Sequence, residues 1–199
     1  MDRVTYSTAD AELAQRACGG DEAAARAIYL THAPRVAQRL RRLLGSSSEV
    51  EDAVQQTFEA LFRSLHRFEQ GRRLGPWLDG FAVHVAQNAL RSRRRKRWLS
   101  FGSQHETPPE ASVPADSDER ASRRQLVREV HAAMEALTPK QRVAYVLHEI
   151  EGVSLTDIGR LAGASPQAIR ERLQGARAVV MRELEKRGLL PGEDGGGVP

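Results

Sequence analysis

The chain has 199 residues, enough for one domain or two small ones, and carries 30 Lys and Arg against 26 Asp and Glu, a net charge of +4. A single cysteine, Cys18, excludes an internal disulfide and a cysteine-built metal cluster, and no apolar run approaches the ~20 residues a membrane span needs. Aromatic residues are 5 % of the chain and β-branched clusters are scarce, while Ala, Leu, Arg, Glu and Gln dominate, so the expected fold class is all-α. The opening MDRVTYSTAD lacks the apolar core of a signal peptide, and the lone cysteine fits a reducing, cytoplasmic location.

A short helical pattern over residues 10–18 stops at Gly19-Gly20. Asp21 can cap a second helix that runs to Leu44 with Ile28, Val36, Leu40 and Leu43 among its apolar positions, and Pro34 is expected to kink or split it. Gly45 and three serines break the chain, and Ser48 with Glu51 forms an S-x-x-E capping box. The helix beyond has an apolar stripe through Val50, Ala53 or Val54, Phe58, Leu61 or Phe62, Leu65 and Phe68. Its polar face presents Asp52, Gln55, Gln56 and Glu59, either a solvated surface or a docking face. The loop EQGRRLG (69–75) follows, and Pro76 can begin a fourth helix through Trp77, Phe81, Val85 and Leu90. That helix ends in RSRRRKR (91–97), six cations in seven residues.

Residues 99–121 are rich in Pro, Ser and acid and read as a flexible acidic linker. Helix resumes near Ala121 and continues to Leu137. Thr138-Pro139 with Gln141 is a further capping signal, for a helix that buries Val143, Val146 or Leu147, and Ile150, and stops at Gly152. Ser154 and Asp157 open the next short helix, with Leu155, Ile158 and Leu161 at helical spacing and Gly163 as its left-handed cap. Ser165-Pro166 starts the last one, whose stripe is Ile169, Leu173, Ala176, Val180 and Leu184. Gly188 closes it before a frayed tail (189–199). Two small helical domains, 10–98 and 122–188, are therefore expected on a tether.

A capped short helix, a glycine turn and a second helix bearing Gln167, Arg170, Glu171, Arg172, Gln174 and Arg177 on its polar face form the pattern of a helix-turn-helix, although an ordinary helical hairpin shares it. The arginine block repels itself unless phosphates neutralise it, which points to nucleic acid, although a solvated basic helix end, favoured by the helix C-terminus, shares the pattern. Trp77 beside the cationic loop either stacks on an unpaired base or fills the core. Enzymatic readings do poorly. The six histidines are scattered with no H-x-x-x-H pair, and neither a G-x-x-x-x-G-K-[ST] loop nor a G-x-S-x-G elbow exists. No catalytic residue, metal site, cofactor or small-molecule substrate is expected.

The segment EDAVQQTFEALFRSLHRF (51–68) resembles the E-D-x-x-Q-x-x-F-x-x-x-(W/F)-x-x-x-x-x-F motif of bacterial RNA polymerase sigma factors of the extracytoplasmic-function group. WLDGFAVHVAQNALR (77–91) is similar to the family's W-L-Y-R-I-A-x-N-x-x-x-D-x-x-R, with His84 at the usual asparagine and Asn88 at the usual aspartate. LTPKQRVAYVLHEIEGVSLTDIGRLAGASPQAIRERLQGAR (137–177) resembles the family's C-terminal helix-turn-helix, with Asp157, Gly159 and Gly175 as departures. The resemblance implies a region 2 type module and a region 4 type module. It implies that Asp52, Gln55, Gln56 and Glu59 meet the β′ clamp of core RNA polymerase. It assigns Gln70, Gly71, Arg72, Arg73, Trp77, His84, Asn88, Arg91, Arg94 and Arg95 to the minus-ten element. Ser165, Gln167, Arg170, Glu171, Arg172, Gln174 and Arg177 fall to the minus-thirty-five element. The implied partners are core polymerase, through its β′ clamp and β flap, and promoter DNA, and an anti-sigma partner is common in the family.

Overall fold

The computed structural model describes residues 8–45, 49–69, 73–99 and 118–190, and all regular structure among them is helical. Helices α1 (Thr8–Cys18) and α2 (Glu22–Leu44) pack against each other across the turn at Gly19-Gly20. Asp21 caps α2 by accepting from the Ala24 amide at 3.0 Å. Pro34 does not split the helix, because α2 continues through it. Proline deprives the carbonyl four residues back of its partner. That residue is Leu30, 61 % exposed on the outer face, where water can serve the carbonyl.

Helix α3 (Glu49–Ser64) buries Val50, Ala53, Val54, Phe58 and Leu61, as its stripe requires, and ends in a 3₁₀ turn, Leu65–Arg67. Thr57 shares that buried face and satisfies its hydroxyl on the Ala53 carbonyl at 2.7 Å. Helix α4 (Leu74–Leu99) starts before Pro76 and carries the whole arginine block in helical form. Helices α2, α3 and α4 pack on one another to form the N-terminal core. Ser48 lies outside the described residues.

The C-terminal module begins with α5 (Asp118–Met134), slightly earlier than expected at Ala121. Thr138 and Gln141 form the reciprocal capping box of α6 (Pro139–Tyr145). That helix runs into a π-helical turn, Val146–Ile150. Val143, Val146 and Leu147 are buried, but Ile150 is 43 % exposed, contrary to expectation. A π turn holds an extra residue, so a stripe counted at 3.6 residues per turn runs off the buried face there. Helix α7 (Leu155–Ala162) is capped by Ser154 and closed by Gly163 at φ 60 and ψ 47. A Cβ on Gly159 would lie 2.6 Å from the Ala164 carbonyl oxygen, so glycine lets the turn fold tightly over α7. Ser165 then caps α8 (Pro166–Lys186), which buries Ile169, Leu173, Ala176 and Val180 against α5, α6 and α7.

The modules are not merely tethered, because α4 packs directly against α6 and α7. The contact is ionic as much as apolar. Arg142, 2 % exposed, donates to the Leu43 carbonyl at the end of α2 and to Glu135, both at 2.6 Å. Arg93 donates to the Leu44 carbonyl at 2.8 Å and to Glu49 at 2.6 Å, and Arg97 pairs with Glu135 at 3.1 Å. Further along α2, Arg39 joins Asp79 of α4 at 2.8 Å to Glu151 of the C-terminal module at 2.7 Å. Burial opposes the Glu135 charge, but Arg142, Arg97 and Arg93 outweigh it and hold the carboxyl below its usual range.

His131 sits against Gly45 in this junction, with Nδ1 buried and without a hydrogen-bond partner. Burial, then the Arg142 charge, push its imidazole below the usual range despite Glu135. The unfolded chain therefore binds a proton that the folded chain refuses, and stability falls as pH drops below about 6.5. The melting midpoint should decline between pH 7.5 and pH 5.5, and His131→Gln should flatten part of that slope. Leu61→Ala, at a fully buried site, should cost about 3 kcal/mol by the cavity it leaves, read as a lower urea midpoint.

Candidate nucleic-acid interface

Asp52, Gln55, Gln56 and Glu59 lie exposed on the face of α3 opposite its buried stripe, and Gln55 donates to Glu59 at 2.8 Å. About two turns of polar side chains thus stand on one face of the helix. Of the loop expected to meet an unpaired base, Gln70, Gly71 and Arg72 lie outside the described residues, and Arg73 is exposed. Trp77 is half-buried between Phe68, with ring centroids 5.2 Å apart, and Phe81, edge-on at 5.0 Å. It therefore belongs to the core on one side while keeping an edge in solvent.

His84, Asn88, Arg91, Arg94 and Arg95 are all exposed along α4. Their steps of four, three, three and one keep them near one outward strip of the helix. Arg91 bonds Asn88, which tethers its guanidinium to the helix. The arginine block divides by direction. Arg93 and Arg97 turn to Glu49 and Glu135, whereas Arg91, Arg94 and Arg95 stay on the solvent side. With Trp98, 74 % exposed, they line an open cleft of about 780 Å³ between the end of α4 and Pro139. A cationic cleft with an exposed indole suits phosphates and bases.

On α8, Ser165 spends its hydroxyl on the Ala168 amide at 3.1 Å. The hydroxyl oxygen accepts that bond and so fixes the start of the helix. Gln167 accepts from Arg170 at 2.9 Å and donates to Glu171 at 3.1 Å, which pre-sets the exposed N-terminal turn. Arg172 is half-buried and Gln174 exposed. Arg177 is held by Glu149 at 2.7 Å. Gly175 faces α6, where a Cβ would come 3.0 Å from Gln141 Nε2, so a small residue suits this contact.

Asp79, Glu135, Glu149 and Glu151 are the structurally active residues that sequence reasoning passed over. Asp79 stands where the family motif has tyrosine, and that departure was the available signal. Among the described residues no cluster of three or more His, Cys, Asp or Glu could hold a metal ion, and no helix is long and apolar enough to cross a membrane.

Comparison with known proteins matches Sigma-70 region 2 to residues 28–96 and Sigma-70, region 4 to residues 127–180. RNA polymerase sigma factor CarQ of Myxococcus xanthus is 37 % identical over 145 residues, 73 % of this chain and 80 % of that protein. The ECF RNA polymerase sigma factor SigE of Mycolicibacterium smegmatis is 30 % identical over 170 residues, 84 % of this chain and 65 % of that one. The fold is similar to CnrH in its complex with the cytosolic domain of CnrY, with TM-score 0.58 and 25 % identity over 89 % of this chain and 98 % of that one. It is also similar to RpoE of Bartonella quintana, solved with the anti-sigma factor NepR, with TM-score 0.58 and 22 % identity over 80 % of this chain and 96 % of that one. The chain belongs to the sigma-70 family, as a sigma factor of the extracytoplasmic-function group that directs RNA polymerase to specific promoters.

The Ser165 cap is structural as well as positional. Ser165→Ala should cost about 1 kcal/mol of stability and loosen the first turn of α8, visible as faster amide exchange at Gln167 and Ala168.

Proposed function

We propose that the work of initiation divides between the modules as follows. The N-terminal module, residues 10–98, docks on the β′ clamp of core polymerase through Asp52, Gln55, Gln56 and Glu59. Its α4 strip, His84, Asn88, Arg91, Arg94 and Arg95, holds the opened minus-ten strand, with Gln70 to Arg73 and the exposed edge of Trp77 receiving an unpaired base. The C-terminal module, residues 122–188, meets the β flap and lays α8 in the major groove at the minus-thirty-five element. There Arg170 and Glu171 read base edges, and Arg172, Gln174 and Arg177 fix the helix on the backbone.

One observation carries this reading. Each module presents one rigid helix whose outward strip is polar and cationic, α4 in the region matched to region 2 and α8 in the region matched to region 4. Neither strip is large enough to bind tightly alone, so core polymerase must supply the spacing and the avidity. The chain then acts as a DNA-binding regulator in the cytoplasm and catalyses nothing itself. The complex of CnrH with the cytosolic domain of CnrY supports a protein partner here too, and the partner we propose is of the anti-sigma kind.

In-vitro transcription with and without core enzyme tests the assignment. Promoter-specific transcripts should require both proteins. Arg170→Ala should lose about 1–3 kcal/mol of discrimination between promoter sequences while leaving affinity for core unchanged. Asp52→Ala with Gln55→Ala should weaken core binding by about 1 kcal/mol or more without changing promoter preference. If Arg170→Ala initiates like the wild type, the chain is an adaptor that does not read DNA through α8.

A further inference from the structure

The end of α4 carries a pattern that the promoter assignment uses only in part. Arg91, Arg94, Arg95 and Trp98 stand at i, i+3, i+4 and i+7, the spacing that sets four side chains on one stripe of a helix. The stripe runs roughly 10 Å along the axis at about 1.5 Å per residue. That is the reach from a nucleobase to its outer phosphates. Ala136, Leu137 and Pro139, at the turn between α5 and α6, give the same cleft an apolar wall. An exposed indole alone would mean little. Here it ends a row of three arginines and shares a cleft with that wall. The volume of about 780 Å³ falls within the range of small-molecule sites, roughly 300–1,000 Å³.

The electrostatics favour an anion. Glu135 is the one carboxylate lining the cleft, and Arg142, Arg97 and Arg93 already surround it at 2.6, 3.1 and 3.8 Å. Its charge is therefore offset within the junction. Arg94 and Arg95 point to solvent, and Arg91 bonds the neutral side chain of Asn88 and keeps its full charge. The field in the cleft is positive along the arginine row. A simple polyanion would need the cations alone, and a lone base would need only the indole. The two together suit a molecule that carries a flat ring and several phosphates.

We propose that this cleft binds a free purine nucleoside di- or triphosphate, with its base on Trp98 against the Leu137 and Pro139 wall and its phosphates on Arg91, Arg94 and Arg95. A purine is favoured over a pyrimidine because the larger ring covers more of the indole and of the apolar wall. Trp98, Leu137 and Pro139 lie outside every residue assigned to promoter DNA. The slot is framed by two modules, whereas the minus-ten strip follows one helix. The three arginines are shared with that strip, so bound nucleotide and the opened strand exclude each other. The site itself is read from the cleft and stands without the promoter assignment.

Isothermal titration of the full chain, free of core polymerase and DNA, with GTP, UTP and inorganic triphosphate tests the site. GTP should bind saturably and quench indole fluorescence. It should bind about tenfold more tightly than inorganic triphosphate, with UTP between them. Inorganic triphosphate carries at least as much charge, so any advantage of GTP comes from its base. Trp98→Ala should bring GTP down to the level of inorganic triphosphate, a loss of about tenfold, with unchanged helical circular dichroism. Arg94→Ala with Arg95→Ala should weaken all three ligands alike and reduce the dependence of binding on salt. A Kd for GTP weaker than about 1 mM, or a GTP affinity that Trp98→Ala leaves intact, overturns the proposal. So does a short single-stranded DNA that binds through Trp98 where GTP does not, which would give the cleft to the promoter strand alone. Failure of the chain to transcribe with core would sink the promoter assignment and leave these titrations standing.

Discussion

The last carbonyls of α2 are buried where the two modules meet, and buried carbonyls need donors. A helix ends with four of them unsatisfied and with partial negative charge. Leu43 is served by Arg142 from the C-terminal module and Leu44 by Arg93 from α4. Bringing two guanidinium groups into that space creates a positive excess. Glu135 and Glu49 answer it, and Arg97 then settles on Glu135. Each charge is explained by the previous one, back to the end of a single helix.

This junction also sorts the cations of α4. Arginines whose positions face Glu49 and Glu135 are spent internally, and those a fraction of a turn away are left for solvent. The block therefore serves two ends at once. It ties the modules together on one side and offers an unneutralised strip on the other. A helix that was cationic on one face only could do one of these and not both.

Local signals were legible because each is read within a few residues. The caps at Asp21, Thr138, Ser154 and Ser165, and the left-handed Gly163, all fall where side-chain chemistry requires. The outward faces of α3 and α8 were legible for the same reason, since a fixed start and a known period determine what faces out. The junction was not legible. Arg39 and Glu151 are 112 residues apart and Arg142 and Leu43 are 99 apart, and no spacing rule links such pairs. The exposure of Ile150 was missed because a π turn leaves no mark in a pattern counted at the α period. Asp79 departs from the family motif, and it carries the ionic contact to Arg35 and Arg39.

Pro34 gives α2 a property that its unbroken outline conceals. With no amide proton at that position, the ladder of hydrogen bonds along the helix lacks a rung. The first half of α2, through Ile28 and His32, is buried in the N-terminal module, where His32 contacts Asp10 of α1. The second half, from Arg35 to Leu44, carries the contacts to the other module. Fraying or flexing that starts at the junction thus meets a weak point before it reaches the α1 side. One rod in outline, α2 is missing a main-chain hydrogen bond near its middle, so bending costs less there than elsewhere along it.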